Sequence, residues 1–180
     1  MENSKGISYF QNKTWSENIS RTELLFCAEL FFLLKKQENL LKFIEKFKLE
    51  PGDYDVGYEV SFYRDLSKEY AGKIKGKYSP KRTFDLALFS ENDIYIIEAK
   101  AQQRFKSQQL GFFKDDKKKI PEMLAEINHK TKIKIHFLAL ISNNDKHETI
   151  GIFEKTITWD EIYELYGKEI FKRANEIYGK

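Results

Sequence analysis

Apolar residues fill Leu24–Leu34, with Glu29 interrupting, and recur at Leu40, Ile44 and Phe47, the spacing of one helical face. Ser20-Arg21-Thr22-Glu23 has the form of a capping box at the start of this helix, and Pro51-Gly52 ends it. The period then changes to two. Val56, Tyr58, Val60 and Phe62 alternate with Glu59 and Ser61, which predicts a strand over 56–63. The Gly- and Lys-rich stretch 64–82 predicts a long exposed connection. Strands follow at 83–89 and 94–100, joined by Ser90-Glu91-Asn92-Asp93, a turn composition. A helix is expected from Ser107 to Lys119, with Pro121 kinking it or opening a new one. Ile133, Ile135, Phe137, Ala139 and Ile141 alternate as another strand, and 149–157 offer a further one. Thr158-Trp159-Asp160-Glu161 forms a second capping box, opening a C-terminal amphipathic helix. The order helix, three strands, helix, strand predicts an α/β fold, a mixed β-sheet flanked by helices with a C-terminal helix. No internal repeat or low-complexity linker is visible, and 180 residues suit one domain, 1–180.

The hairpin at 83–100 carries the chemistry. With a turn of two or four residues, Phe89 faces Ile94, Ala87 faces Ile96, Asp85 faces Glu98 and Thr83 faces Lys100. A loop of three or five residues would shift this register. Phe84, Leu86, Leu88, Tyr95, Ile97 and Ala99 then form one wholly apolar face. The other face is apolar near the turn and charged at its open end, with Asp85, Glu98 and Lys100. Directly opposed carboxylates repel, with Cβ atoms about 4.5–5.5 Å apart. A divalent cation relieves that repulsion, and hard oxygen ligands suit Mg²⁺ or Mn²⁺. Lys100 could supply part of the compensation. Without a metal, the same residues would be an ordinary surface charge cluster.

Charge distribution sharpens the picture. The net charge is +3, but residues 64–82 carry seven basic residues against Asp65 and Glu69. Residues 100–119 carry seven more against Asp115 and Asp116, so the two segments that flank the hairpin are each +5. A phosphate backbone is a fitting partner for such segments, although lysine runs alone are usually solvated faces. The single cysteine, Cys27, excludes an internal disulfide, and no Cys/His cluster has zinc spacing. His129, His136 and His147 are scattered. These features point to a reducing compartment, the cytoplasm. No signal peptide is visible at Met-Glu-Asn-Ser-Lys. The apolar run Leu24–Leu34 is too short to span a membrane, so no membrane association is expected.

Thr83-Phe84-Asp85-Leu86-Ala87-Leu88-Phe89, a short turn, then Ile96-Ile97-Glu98-Ala99-Lys100 resembles the core motif of the PD-(D/E)xK, or restriction-endonuclease-like, nuclease superfamily. Phe84 stands where that motif often has Pro, and the element order over roughly residues 20–141 is similar to the superfamily's core. The resemblance implies a metal-dependent endonuclease acting on DNA, such as a restriction or phage-defence enzyme. It implies that Asp85 and Glu98 bind Mg²⁺ (or Mn²⁺), with the Ala99 carbonyl as a further ligand. It also implies that Lys100 orients or activates the attacking water, or stabilises charge in the transition state. A homodimer is expected by the same analogy. Alternatives are a structure-selective, junction-resolvase-like nuclease, an RNA-processing nuclease, or a nucleic-acid-binding module with a vestigial site.

Other candidates are less specific. Glu59, on the polar side of its strand, reads equally as a further metal ligand and as an exposed residue. Glu23 also sits where some relatives place an acid, but the capping box is sufficient reason for it. Glu29, among apolar neighbours, needs a partner or solvent. Lys73, Lys75, Lys77, Lys81, Arg82, Gln102, Arg104 and Gln109 are candidate nucleic-acid contacts. Gln109 with Phe113, or Gln108 with Phe112, resembles the Gln-x-x-x-Tyr helix of the RecB-like branch, with Phe for Tyr. Phe105, Phe112 and Phe113 could stack on bases or belong to the core.

Overall fold

The computed structural model describes residues 23–69, 82–101, 104–127, 133–143 and 151–176. The apolar N-terminal region forms two helices, α1 (Glu23–Leu34) and α2 (Gln37–Lys46), where one was expected. The break at Lys35-Lys36 needs no Gly or Pro, because the buried Asn39 side chain donates to the Leu33 carbonyl at 3.1 Å. That bond satisfies part of the open carbonyl end of α1. The box residues Ser20–Thr22 lie outside the described residues.

Strand β1 is Asp55–Val60, followed directly by α3 (Phe62–Glu69), where a longer strand and an exposed connection were expected. Ser61 is buried and donates to the Arg82 carbonyl at 3.1 Å, and Phe62 and Tyr63 turn into the core. Strands β2 (Phe84–Phe89) and β3 (Asp93–Ala99) make the hairpin, and α4 (Ser107–Ile127) follows. Pro121 lies inside α4 without ending it. Ile120 and Met123 on either side of it are fully buried, and that packing outweighs the lost backbone bond. Then come β4 (Lys134–Ile141), β5 (Lys155–Thr158), α5 (Trp159–Tyr166) and α6 (Glu169–Asn175). The expected C-terminal helix is thus two helices. They are separated at Gly167, whose left-handed φ of 66° caps α5.

The five strands form one mixed sheet in the order β1-β2-β3-β4-β5. The first three are antiparallel, and β4 and β5 run parallel to β3. One sheet face packs on α1, α2, α5 and α6 through Phe26, Leu30, Phe43, Trp159 and Phe171 against Leu86, Leu88 and Ile97. The other packs on α3 and α4 through Phe62, Phe113 and Met123 against Ile94, Ile96 and Phe137. The architecture is therefore α/β with helices on both faces of the sheet, and every residue of β3 is buried. Among the described residues, no helix is long and apolar enough to cross a membrane.

The hairpin register matches the sequence expectation, with Phe89 opposite Ile94, Ala87 opposite Ile96 and Leu86 opposite Ile97. The expected apolar face fails at one residue. Phe84 packs with Ile94 and Ile96 in the second cluster, whereas Leu86 and Leu88 belong to the first. The neighbouring strand does the same, with Tyr58 on the first cluster and Val60 on the second. Between those two, Glu59 has φ +51°, a conformation that breaks strict alternation. The β1–β2 ribbon is thus twisted where Asp85 emerges.

The Thr158 capping box is complete. Its hydroxyl accepts from the Glu161 amide at 3.2 Å, and the Glu161 carboxylate accepts from the Thr158 amide at 2.8 Å. Thr158→Ala should cost about 1 kcal/mol, as N-cap deletions do, or about 2–4 °C of melting temperature in a chain of this size. Unchanged thermal melting would show that the box contributes nothing to stability.

Candidate active site

The site forms where β2 and β3 run out, at the end of the hairpin away from the turn. One step beyond the Leu86–Ile97 pair, the register sets Asp85 beside Glu98. The Ala99 amide donates to Asp85 Oδ2 at 2.7 Å, which fixes the first carboxylate on the edge of β3. Glu98 is 6% exposed and Lys100 is 7% exposed, so the charged end of this face is interior rather than a solvated surface cluster. Lys100 is held along its whole length. Its amide donates to the Leu140 carbonyl at 2.7 Å, and its carbonyl accepts from Trp159 Nε1 at 3.0 Å. Its ammonium donates to Glu23 Oε1 at 2.8 Å and to the Ala99 carbonyl at 2.9 Å, and lies 5.4 Å from the centre of the Phe105 ring.

Burial and mutual repulsion govern the protonation of these groups. Burial pushes Asp85 from the ordinary 3.8 up to about 6, with Glu23 and Glu59 adding to the rise and the Ala99 amide and Lys100 opposing it. Glu98 is raised well above its ordinary value, first by burial and then by the Asp85 charge, with Arg82 and Lys100 opposing. Burial works against the Lys100 ammonium. The hydrogen bond to Glu23 and the charges of Glu23, Glu98 and Asp85 outweigh it, and its pKa is raised. Lys100 therefore stays an ammonium. An ammonium has no free lone pair with which to take a proton.

Glu23 belongs to this cluster, although its place in the capping box had been sufficient reason for it. It bonds Lys100 and also accepts from the Ala101 amide at 3.3 Å. Only its long-range contacts reveal this, and no local sequence signal could have. Glu59 is half-buried, and its carboxyl pKa is raised by burial and by Glu23, so it lies electrostatically within the site. The Ala99 carbonyl, implied as a metal ligand, accepts from the Lys100 ammonium. Among the described residues, no group of three or more His, Cys, Asp or Glu is arranged to hold a metal ion. What a cation would find is the Asp85–Glu98 pair, with Glu98 Oε2 buried and lacking a hydrogen-bond partner.

The expected nucleic-acid contacts scatter. Arg82 is not a solvated surface cation. Its guanidinium lies between the Phe113 and Phe84 rings, with centroids at 4.3 and 5.0 Å, and pairs with Asp116. Gln109 accepts from the Lys106 amide at 3.1 Å, so its carbonyl oxygen caps the start of α4. Phe105 and Phe113 are core residues, while Phe112 is exposed, as are Arg104, Lys106, Lys114, Lys118 and Lys119. Lys73, Lys75, Lys77, Lys81 and Gln102 lie outside the described residues. Glu29 finds its partner in an ion pair with Lys168.

The raised Asp85 pKa has a definite sign in stability. A carboxyl that binds its proton more tightly when folded stabilises the fold below the ordinary carboxylate range. That contribution is lost as pH rises toward about 6. In chelator at pH 7, Asp85→Asn should therefore melt a few degrees above wild type, and the gap should close by pH 4. A variant that melts lower, with a gap independent of pH, would make Asp85 a structural partner of the Ala99 amide and Lys100.

Comparison with protein-family models, curated proteins and solved structures finds no match for this chain.

Proposed function

We propose that this chain is a metal-dependent endonuclease that hydrolyses DNA phosphodiester bonds, a restriction-endonuclease-like enzyme of restriction or phage defence. The observation that carries the reading is the Asp85–Glu98 pair. Glu98 is buried and Asp85 is half-buried at neighbouring register positions, both with raised pKa, and Glu98 has a buried oxygen without a partner. The order α1, β1–β3, α4, β4 agrees with the core that the motif resemblance implies, with α2 and α3 as additions.

Charge supports a divalent cation here. Glu23, Glu59, Asp85 and Glu98 act on one another, against the positive charges of Lys100 and Arg82. With Asp116, which pairs with Arg82, five carboxylates against two cations leave an excess of three negative charges when all are ionised. Mg²⁺ is commonly held by one or two carboxylates, with waters and substrate phosphates completing its shell, so Asp85 and Glu98 fit it and Mn²⁺. When bound, such an ion lowers the pKa of water and neutralises charge on a phosphoryl group. The chain's own contribution is position and field. The Ala99 amide orients Asp85, β3 orients Glu98, and the Glu23-anchored Lys100 supplies a fixed positive charge beside them. The exposed Arg104, Lys106, Lys114, Lys118 and Lys119 offer contacts to a phosphate backbone.

One observation favours a second reading, a nucleic-acid-binding module with a vestigial site. The Lys100 ammonium and the Ala99 carbonyl, two groups the chemistry would use, are bonded to each other.

Incubation with plasmid and single-stranded DNA, with and without Mg²⁺, separates the two. A nuclease cuts only with Mg²⁺. Lys100→Ala should lose about 10²–10³-fold in rate, the usual effect of removing one preorganised electrostatic stabiliser, while calorimetry shows retained Mg²⁺ binding. DNA binding without Mg²⁺-dependent cleavage would support the vestigial module. Near-wild-type turnover by the variant would remove Lys100 from the chemistry.

A further inference from the structure

Arg82 lies three residues before Asp85 and is fixed at several points. Its carbonyl accepts from the Ser61 hydroxyl at 3.1 Å. Its Nε donates to Asp116 Oδ2 at 3.0 Å, and Asp116 is itself fixed by the Tyr63 hydroxyl, which donates to Oδ1 at 2.6 Å. The Phe113 and Phe84 rings lie against the guanidinium, with centroids at 4.3 and 5.0 Å. One nitrogen, Nη2, is left buried without a hydrogen-bond partner. Among the described residues, only one other buried side-chain atom is in that condition, Glu98 Oε2. One orphan is a cationic donor and the other an anionic acceptor. The Arg82 guanidinium lies 5.0 Å from the Phe84 ring, which packs with Ile94 and Ile96 on the face of β3 that Glu98 shares by alternation.

Leaving a buried polar group without a partner is costly, so two orphans of opposite sign on one face of the sheet call for a joint explanation. Nη2 is too deeply buried to meet the phosphate of a bound strand at the surface. Its charge serves an interior group. A lysine in its place would offer a single point of charge and could not grip Asp116 while presenting a second nitrogen.

We propose that Arg82 is a positioning residue, a fixed internal counter-ion that the Tyr63–Asp116 clamp aims at Glu98 Oε2, holding the carboxylate pair together when no cation is bound. The counter-ion role stands on the two orphaned atoms and their placement on one face of the sheet; its link to cation binding rests on the metal-site reading above. With Arg82 in place the acidic pair tolerates the absence of metal. Without it, the pair depends on a cation more heavily.

The test is a double-mutant cycle of Arg82→Met and Glu98→Gln, read by thermal melting in chelator and in millimolar Mg²⁺. Methionine keeps the packing between the two rings, and the cost of releasing Asp116 is the same in both backgrounds, so it cancels. The expected result in chelator is a melting loss for R82M that is smaller in the E98Q background than in the Glu98 background, and the difference is the Arg82–Glu98 interaction. In the Glu98 background, Mg²⁺ should raise the melting temperature of R82M by more than it raises wild type. If R82M does not fold, the same cycle is run on Arg82→Lys, which keeps a charge for Asp116 but loses the second nitrogen. Equal losses in both backgrounds would overturn the counter-ion role. If Mg²⁺ stabilises neither wild type nor variant, the cation site itself falls, and the cycle in chelator alone decides Arg82.

Discussion

Strand register sets two carboxylates side by side at the end of the β2–β3 hairpin, and their repulsion is the constraint that the surrounding groups answer. In water such a pair would cost little. Inside the sheet the effective dielectric is lower, and both desolvation and repulsion grow. Each neighbour addresses one part of this. The Ala99 amide takes up one oxygen of Asp85, Lys100 brings a positive charge tied down at Glu23, and the Arg82 charge opposes the upward push on Glu98. One oxygen of Glu98 still lacks a partner. An acidic pair that is only partly compensated retains affinity for a cation, whereas a fully compensated pair would be an inert ion cluster.

The fold supplies the rigidity this arrangement needs. β3 is the middle strand of the sheet and is covered on both faces, so Glu98 and Lys100 are fixed by neighbours on either side. Both helical layers send residues to the site. α1 contributes Glu23, and the layer of α3 and α4 contributes Tyr63 and Asp116, which hold Arg82. Trp159, at the start of α5, locks the Lys100 backbone through its indole N–H. Groups placed by strands and helices in this way hold their geometry better than groups on loops. Glu59 beside the site has a left-handed backbone conformation, and such departures from relaxed geometry concentrate where function demands them.

What was legible in the sequence follows the range of the interactions. The hairpin register could be read because the turn residues and the alternating apolar positions agree, and both are local. The Thr158 capping box was legible for the same reason. Glu23 was not, because a local explanation already accounted for it and its partner Lys100 is 77 residues away. Arg82 reads in the sequence as one more charge in a basic run, since nothing nearby in sequence announces Asp116 or Phe113. The break between α1 and α2 carries no Gly or Pro, only a buried amide that reaches back to Leu33. The start of α3 was hidden because Phe62 continues the alternation of β1, while Ser61 and Tyr63 make their contacts with residues far along the chain.

At the centre of all this is the claim that Asp85 and Glu98 together hold a divalent cation. Anomalous diffraction from crystals grown with Mn²⁺ tests it directly, because the peak reports the ion's position without reference to activity. The predicted result is a peak between the two carboxylates, within about 2.0–2.2 Å of an oxygen from each, a distance suited to a small hard cation. It should vanish in Glu98→Gln crystals of the same form. No peak at these carboxylates, or one held by other residues and unchanged in the variant, would contradict the claim.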